Sequence, residues 1–474
     1  MNIDAPKKNT ISIQFYGGVF GALLPFIIFI IGVVVIALSG APDERGFWPV
    51  LLLALGVGLL LAKNRTDFSE TVISGMAQQI VMIMITAWIL ASIIGILMTV
   101  TGFVEALIWL SNQLSLHGPG FVIATFIICC VVSLSTGSSF ATILICSPLL
   151  YPTGGILDAH LPTLAGAIIG GAAFGDFIAP ISDTTIASTL SQNAKIGDAV
   201  KSRIKFVVPA ALVALIGYAL TASWFGTEST TDATITTGSP DGLPMLLVPA
   251  LIIFLFLKGK HLLHGLLFGL LFGTGLGLTL GLLSWEQVLF LDLENFSAKS
   301  FVIDGINRAV GISIFTLLLM GLVETLKASG LLNQLVDFAA LRTKTEKQAE
   351  LWITAVMSLA VLLTTHSIVA ILTVADFTKK TGIQWHISKL RRANLLSLIA
   401  CVFPFILPYF IPVILMANMT ATGKEFGIPQ VSPVEVGLYN FMSWGLLLAV
   451  VISVIFGIGK TKKVKNEIEL DKSL

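Results

Sequence analysis

The chain of 474 residues is 55% hydrophobic and only 12% charged, whereas about one quarter of an ordinary soluble chain is charged. Its mean hydropathy of +0.93 excludes a soluble globular enzyme and a disordered regulator. The formal net charge of +1 excludes the basic field that a nucleic-acid binder needs. Long stretches such as 71–104 and 393–423 carry no Asp, Glu, Lys or Arg. Because about 20 apolar helical residues cross a bilayer, we expect an all-α polytopic membrane protein.

The predicted membrane crossings are distributed along the whole chain. In chain order they are 16–38, 47–62, 72–100, 161–193, 204–225, 243–257, 261–283, 303–326, 393–418 and 437–458. Two further apolar stretches, 119–150 and 351–376, carry polar clusters midway, at 135–139 and 364–367. Each of these two stretches either crosses the membrane or enters it and returns as a re-entrant hairpin.

The distribution of positive charge favours hairpins. With the N-terminus cytoplasmic and both stretches re-entrant, 24 of the 28 Lys and Arg residues fall on the cytoplasmic side. If both stretches crossed, ten of these charges would move outside, against the positive-inside rule. We therefore expect ten crossings and two re-entrant hairpins in a bacterial inner (plasma) membrane, with both termini cytoplasmic.

A weak internal repeat accompanies this topology. Gly102 and Gly330 are 228 residues apart, as are Pro180 and Pro408, and the polar clusters of the two hairpins match at an offset of 229. Each unit holds five crossings, an odd number, so the second unit is inverted relative to the first. Inverted repeats with broken helices are typical of secondary transporters. The predicted units are a first repeat (1–226), an extracytoplasmic loop (227–242), a second repeat (243–460) and a cytoplasmic tail (461–474).

The segment 170–185 concentrates polar chemistry inside an apolar crossing. Pro180 removes a backbone N–H and disfavours helix at the residue before it, so we expect a break that frees carbonyl groups. Two carboxylates flank the break, and carboxylates within the membrane are costly and mark ion or proton paths by default. Carboxylate, hydroxyl and carbonyl oxygens suit a small hard cation. With the first hairpin tip, the candidate ion-binding residues are Thr136, Ser138, Ser139, Asp176, Ser182, Asp183, Thr184 and Thr185.

Other interpretations of these residues stay open at this stage. The aspartates could cap helix ends at an interface, and a passive channel would use similar residues. An intramembrane aspartyl protease needs facing aspartates on separate helices, whereas Asp176 and Asp183 share one segment. The four cysteines lie within apolar runs without zinc or redox spacing, so we interpret them as small core residues.

The stretch 174–185 resembles the signature of NhaC-type sodium/proton antiporters, in which Gly-Asp is followed by Ser-Pro and then Ser-Asp-Thr-Thr. Ala179 stands here in place of the Ser before Pro180. The segment 135–142 is similar to the Thr-Gly-Thr-Ser segment of that family. The resemblance is strong between about 130 and 190. It implies an ion-transporter-type fold and sodium coupling, and we expect sodium at Asp183, Ser138 and Thr184.

The corresponding segment of the second half, 394–408, contains no acid. There we predict a mainly apolar substrate pocket lined by Thr365, His366, Ser367, Phe403 and Phe405. The leading prediction is a sodium/proton antiporter that is not an enzyme and uses no cofactor beyond its coupling ions. The alternative is a sodium- or proton-coupled carrier or exchanger of a small organic acid or amino acid. The expected partners are membrane lipid and a small cation, with a small organic solute and a second copy of the chain as further candidates.

Overall fold

The computed structural model describes residues 12–39, 44–225, 238–293 and 296–458. Within these residues the chain is almost entirely helical. Most of the predicted loop 227–242 and the whole predicted tail 461–474 lie outside the described residues, so the domain boundaries stay predictions.

The first half of the chain is helical throughout its described part. Its helices are α1 (Val19–Leu38), α2 (Phe47–Leu61), α3 (Arg65–Met76), α4 (Gln79–Val100), α5 (Phe103–Gln113), α6 (Gly118–Thr136), α7 (Ser139–Ile156), α8 (Leu161–Ile178), α9 (Asp183–Leu190) and α10 (Ile196–Trp224). The predicted crossing 72–100 is divided, because α3 ends at Met76 and α4 begins at Gln79.

The second half adds one small β-ribbon to its helices. The helices are α11 (Leu247–Leu257), α12 (Leu262–Thr279), α13 (Trp285–Val288), α14 (Phe301–Ala328), α15 (Leu331–Arg342), α16 (Glu346–Thr364), α17 (Ser367–Gln384), α18 (Lys389–Ala400), α19 (Ile411–Met419), α20 (Pro433–Leu438) and α21 (Phe441–Phe456). The ribbon pairs β1 (Phe290–Asp292) with β2 (Ser297–Lys299) in antiparallel register. Short 3₁₀ helices occupy Glu44–Gly46, Pro240–Leu246, Phe403–Phe405 and Thr420–Phe426.

Eight helical segments of the described part are long and apolar enough to cross a membrane. They are Val19–Ile36, Gln79–Val100, Gly118–Thr136, Ser139–Ile156, Leu161–Leu190, Ile196–Trp224, Leu262–Thr279 and Phe301–Ala328. Shorter apolar helices lie at Phe47–Leu61, Pro240–Phe256 and Phe441–Phe456. The prediction of an all-α polytopic membrane protein is therefore confirmed. The predicted crossing 393–418 is present as α18 and α19, separated by an irregular stretch.

Two helical hairpins carry the polar clusters at their tips. In the first, α6 and α7 return to the same end, where the N–H of Gly118 donates to the carbonyl of Leu157 at 2.8 Å. Its tip turns through Gly137 (φ 66°, ψ 16°), which supplies the left-handed conformation that glycine tolerates. In the second hairpin, α16 and α17 turn through Thr365 (φ 51°, ψ 13°). The two tips therefore share one backbone turn, 228 residues apart rather than the 229 of the sequence matches.

The long helices α4 and α14 pack against each other in opposite directions. The side-chain amide of Gln78, just before α4, donates to Glu324 at 2.7 Å near the end of α14. Further along α4, Ile93 lies against Gly305 near the start of α14. Glycine is needed at 305, because a Cβ atom there would collide with the backbone of Ile93.

A second pair of long helices, α10 and α21, is also antiparallel. Ala210 of α10 lies against Gly445 of α21, and Gly217, two turns further along α10, lies against Phe441 at the start of α21. The contacts around the broken helices follow the same exchange. The short helix α9 packs on α17 and α18, while α19 packs on α7 and α8. Each half thus places one half-helix against the hairpin of the other half.

Candidate functional site

One cavity of about 380 Å³ lies where both hairpin tips meet both broken helices. It includes most of the predicted ion-binding residues and most of the predicted substrate residues. From these predictions, its lining contains Thr136, Ser138, Ser139, Asp176, Ser182, Asp183, Thr184, Thr365, His366, Ser367 and Phe405. Residues separated by more than 200 positions in the sequence therefore line one space.

The first broken helix is interrupted where Pro180 removes a backbone donor. In a continuous helix the N–H of residue 180 would bond to the carbonyl of Asp176, four residues earlier. Instead, the Thr184 hydroxyl donates to that carbonyl at 3.2 Å. The Ser182 hydroxyl lies 3.0 Å from the Thr184 hydroxyl. The break is thus held by side-chain hydroxyls that also face the cavity.

The carboxylate of Asp176 is fixed by two hydroxyl donors. Ser139, at the start of α7, donates to one carboxylate oxygen, and Ser182 donates to the other at 3.3 Å. Asp176 therefore joins the hairpin tip to the helix break. A half-buried carboxylate held in this way is oriented before any ligand arrives, which reduces the ordering cost of binding.

Asp183 differs from Asp176 in its surroundings. It lies in the first turn of α9, where the helix dipole stabilises a negative charge. Its side chain is exposed to the cavity, and within the described residues it forms no hydrogen bond or ion pair. Asp183 is thus the carboxylate with its oxygens available to a ligand.

Ser138 occupies the tip of the first hairpin. Its hydroxyl caps α7 by accepting from the N–H of Ala141 at 3.3 Å, which leaves a further lone pair for a ligand. The Thr136 hydroxyl donates to the carbonyl of Ser138 at 3.3 Å and closes the turn. These bonds give the tip oxygens a defined direction relative to the cavity.

The second hairpin tip carries polar atoms without partners. The Thr365 side chain is only 4% exposed, and its hydroxyl has no hydrogen-bond partner among the described residues. The buried Nδ1 atom of His366 also lacks a described partner. A buried polar atom left unpaired costs about 1–3 kcal/mol, and a β-branched residue at positive φ is strained. Both features are typical of a place where a ligand supplies the missing bonds.

Other residues of the second half give the cavity its apolar wall. Ser367 does not offer its proton to the cavity, because its hydroxyl donates to the carbonyl of Ala400 at 2.7 Å. Pro404 and Phe405 line the cavity, and the Phe405 ring meets Phe177 edge-on with centroids 6.5 Å apart. The sequence analysis missed Trp88, which α4 contributes to the same wall.

Two predicted site residues lie away from the cavity lining. Thr185 is fully buried on the opposite face of α9 and accepts a hydrogen bond from Arg203 at 2.9 Å. Phe403 packs in the protein core and does not line the cavity, although Phe405 does. The remaining candidates outside the site are also paired. Arg308 bonds to Glu425 at 2.7 Å, and Lys327 to Glu324 at 2.6 Å.

Two buried arginines were not recognised from the sequence as interior residues. Arg203 is fully buried beside α9, and Arg391 is paired with the buried Glu350 of α16. Both were counted with the cytoplasmic lysines that flank them. Nothing in the local sequence separates these arginines from their exposed neighbours, because the distinction comes from the packing of three helices around each.

The first half of the chain, which contains one hairpin tip and the Asp176–Asp183 break, matches a known family of membrane proteins. Residues 25–227 match the Na+/H+ antiporter family. The resemblance to antiporters that the sequence signature indicates is therefore confirmed. The family consists of transporters rather than enzymes, and its matched region ends at the last crossing of the first half.

Two curated relatives of the antiporter family have similar sequences. The Na(+)/H(+) antiporter NhaC of Alkalihalophilus pseudofirmus is 30% identical over 183 residues, which are 38% of this chain and 39% of the relative. The malate-2H(+)/Na(+)-lactate antiporter of Bacillus subtilis is 25% identical over 185 residues, 39% of each chain. The chain thus matches about two fifths of the length of each relative.

Proposed function

We propose that the protein is a secondary active sodium/proton antiporter of the NhaC type that uses membrane-embedded carboxylates. The observation that carries the proposal is the single cavity in which Asp176 and Asp183 meet the oxygen-rich tip of the first hairpin. Its similarity to antiporters over the half that contains these residues adds support. Sodium and protons would compete for the same carboxylates, so that only one of them is carried at a time.

The proposed sodium ligands are Asp183, Ser138 and Thr184. Asp183 supplies the negative charge that offsets the desolvation of the ion, and it has no competing partner among the described residues. The two hydroxyls supply neutral oxygens, which hard cations accept together with carboxylates. Asp176, Ser139 and Ser182 form the hydrogen-bonded frame behind these ligands. A second cation site without a carboxylate is not expected in the second half.

The proposed architecture consists of two inverted repeats with re-entrant hairpins. The common turn at Gly137 and Thr365 supports the repeat, and the antiparallel pairs α4–α14 and α10–α21 support its inversion. Two hairpins that enter from opposite sides and meet at the cavity would allow alternating access from either side. We place the protein in a bacterial inner membrane with cytoplasmic termini and membrane lipid around it. A homodimer is the proposed candidate assembly.

The proposal is tested by purifying the protein, reconstituting it in proteoliposomes and imposing a sodium gradient without a proton gradient. Sodium-driven proton movement in the opposite direction is the expected result, and Asp183→Asn should abolish it. The asparagine keeps the size of the side chain and removes the charge. Proton movement that is unaffected by sodium, or exchange that persists in Asp183→Asn, would contradict the proposal.

The exchange of a small organic acid is a second candidate function, favoured by the other side of the same cavity. The unpaired Thr365 hydroxyl and His366 Nδ1, beside an aromatic wall, are suited to a molecule with both polar and apolar parts. The cavity volume of about 380 Å³ also exceeds what one ion needs, since a water molecule takes roughly 30 Å³. Counterflow of radiolabelled lactate, malate and amino acids into preloaded proteoliposomes tests this candidate, which uptake unaffected by preloading would reject.

A further inference from the structure

Arg203 of α10 is fully buried and holds three elements together. Its Nε atom donates to Asn394 of α18 at 3.1 Å, and its terminal nitrogens donate to Thr185 at 2.9 Å and Ser188 at 3.0 Å on α9. A longer bond of 3.5 Å reaches the carbonyl of Phe177 at the end of α8. The guanidinium therefore has hydrogen-bond acceptors on three sides.

None of these acceptors carries a charge. Within the described part of the chain, Arg203 forms no ion pair, in contrast to the other buried guanidinium of comparable depth. Arg391 binds both carboxylate oxygens of Glu350, at 3.1 and 3.0 Å. Burial of a guanidinium without a carboxylate is costly, since neutral dipoles replace its hydration only in part. A charge kept in this state marks a position where the charge itself has a role.

The charge of Arg203 lies directly behind the proposed cation site. Its partners Phe177 and Thr185 are the residues that follow Asp176 and Thr184 in the sequence. Arg203 itself does not line the cavity. Its field therefore acts through the wall of the site, where the low dielectric constant of the interior weakens it little.

We propose that Arg203 is a positioning residue that sets the cation affinity of the cavity by electrostatic repulsion. This inference rests on the proposed function and extends it. Two carboxylates around one small cation would otherwise hold it too tightly for rapid turnover. A fixed positive charge within roughly 10 Å lowers the binding constant of a cation by on the order of tenfold at an effective interior dielectric constant. Release of sodium is thereby accelerated without any contact between Arg203 and the ion.

The neighbouring Asn394 permits a test that leaves the arginine in place. Asn394→Asp has the same shape and places a carboxylate at the atom that now accepts from Nε at 3.1 Å. It can also accept from Ser202, to which the Asn394 amide now donates at 2.7 Å. The substitution neutralises the charge of Arg203 and keeps the guanidinium in its position, so the variant is expected to fold.

Asn394→Ala is the matched control, because it removes the hydrogen bond and keeps the uncompensated charge. The half-saturating sodium concentration for exchange is measured for both variants and the unmodified protein, together with the maximal rate. Asn394→Asp should lower the half-saturating concentration by on the order of tenfold and also lower the maximal rate. Asn394→Ala and Arg203→Lys should leave the half-saturating concentration within about twofold of the unmodified protein, since each keeps the charge.

The possible outcomes separate the inference from the proposed function. Unmodified protein that exchanges sodium normally, with an unchanged half-saturating concentration in Asn394→Asp, would overturn the inference alone. Equal changes in Asn394→Asp and Asn394→Ala would also overturn it, because a mechanical link between α10 and α18 would then explain both. An unmodified protein without sodium-driven exchange would overturn the proposed function, and the inference with it.

Discussion

Thr136 and Thr364, which are 228 residues apart, form the same hydrogen bond. Each hydroxyl donates to the backbone carbonyl two residues ahead, at 3.3 Å in both hairpins. The acceptors belong to Ser138 and His366, whose backbone angles are also alike (φ −138° and −139°, ψ 117° in both). One tip therefore presents a hydroxyl where the other presents an imidazole, on the same local backbone. The chemistry of the cavity thus differs between halves that share their local geometry.

Loss of the Thr184 hydroxyl should weaken sodium binding. Thr184→Val keeps the shape of the side chain, but it removes a proposed sodium ligand and leaves the Asp176 carbonyl unpaired. We expect a cost of about 1–3 kcal/mol, equivalent to at least a fivefold rise in the half-saturating sodium concentration. Thr189→Val is the control, because Thr189 is equally buried on α9 and does not line the cavity. A similar rise in both variants would show that the effect comes from the helix rather than the site.

Phe405 and Phe403 allow the substrate wall to be tested with a matched pair. Phe405→Ala should raise the half-saturating concentration of any organic substrate and leave that of sodium within about twofold, because an aromatic wall contributes mainly apolar contact. Phe403→Ala removes a ring of the same size that does not line the cavity, and it should change neither value. Uptake is measured with each solute varied in turn. The apolar-wall assignment is wrong if Phe405→Ala affects sodium alone.

The buried ion pair Glu350–Arg391 should stabilise the protein without taking part in transport. Glu350→Gln leaves the Arg391 charge buried and unpaired, with an expected loss of about 3–5 kcal/mol. Glu425→Gln breaks the more exposed pair with Arg308 and should cost about 0–1 kcal/mol. Thermal unfolding of the detergent-solubilised variants measures the difference. Equal melting temperatures for the two variants would contradict this interpretation of the buried pair.

The bases of the two hairpins should be accessible from opposite sides of the membrane. His117, before α6, and Lys380, near the end of α17, are both exposed. After replacement of the native cysteines (Cys129, Cys130, Cys146 and Cys401), a cysteine at 117 should react only with impermeant reagent added outside. A cysteine at 380 should react only from the cytoplasmic side. Labelling of both positions from the same side would exclude two oppositely oriented hairpins.

The sequence predicts much of the fold because membrane insertion leaves strong signals in composition. Apolar length identified the crossings, and Pro180 marked the break between α8 and α9. The offset of the two hairpins was wrong by one residue, because side-chain identities at 229 competed with a backbone turn at 228. The turn is made by glycine in one half and threonine in the other, so sequence matching does not detect it.

The candidate site was predictable where its chemistry is unusual for a membrane interior. Carboxylates and clustered hydroxyls stand out against apolar neighbours, and the structure brings most of them into one cavity. The side of a helix that a residue faces was less accessible, since Thr184 and Thr185 are identical in type and lie on opposite faces of α9. Arg203 was missed because its burial depends on α9, α10 and α18 together, which no local pattern records.

Direct sodium binding to the purified protein tests the central claim, a carboxylate-based cation site in the first half. Binding of radioactive sodium is measured at several proton concentrations for the unmodified protein, Asp183→Asn and Thr365→Ala. We predict one saturable site that protons displace, lost in Asp183→Asn and kept in Thr365→Ala. Undiminished binding by Asp183→Asn, or loss of binding in Thr365→Ala alone, would contradict the account.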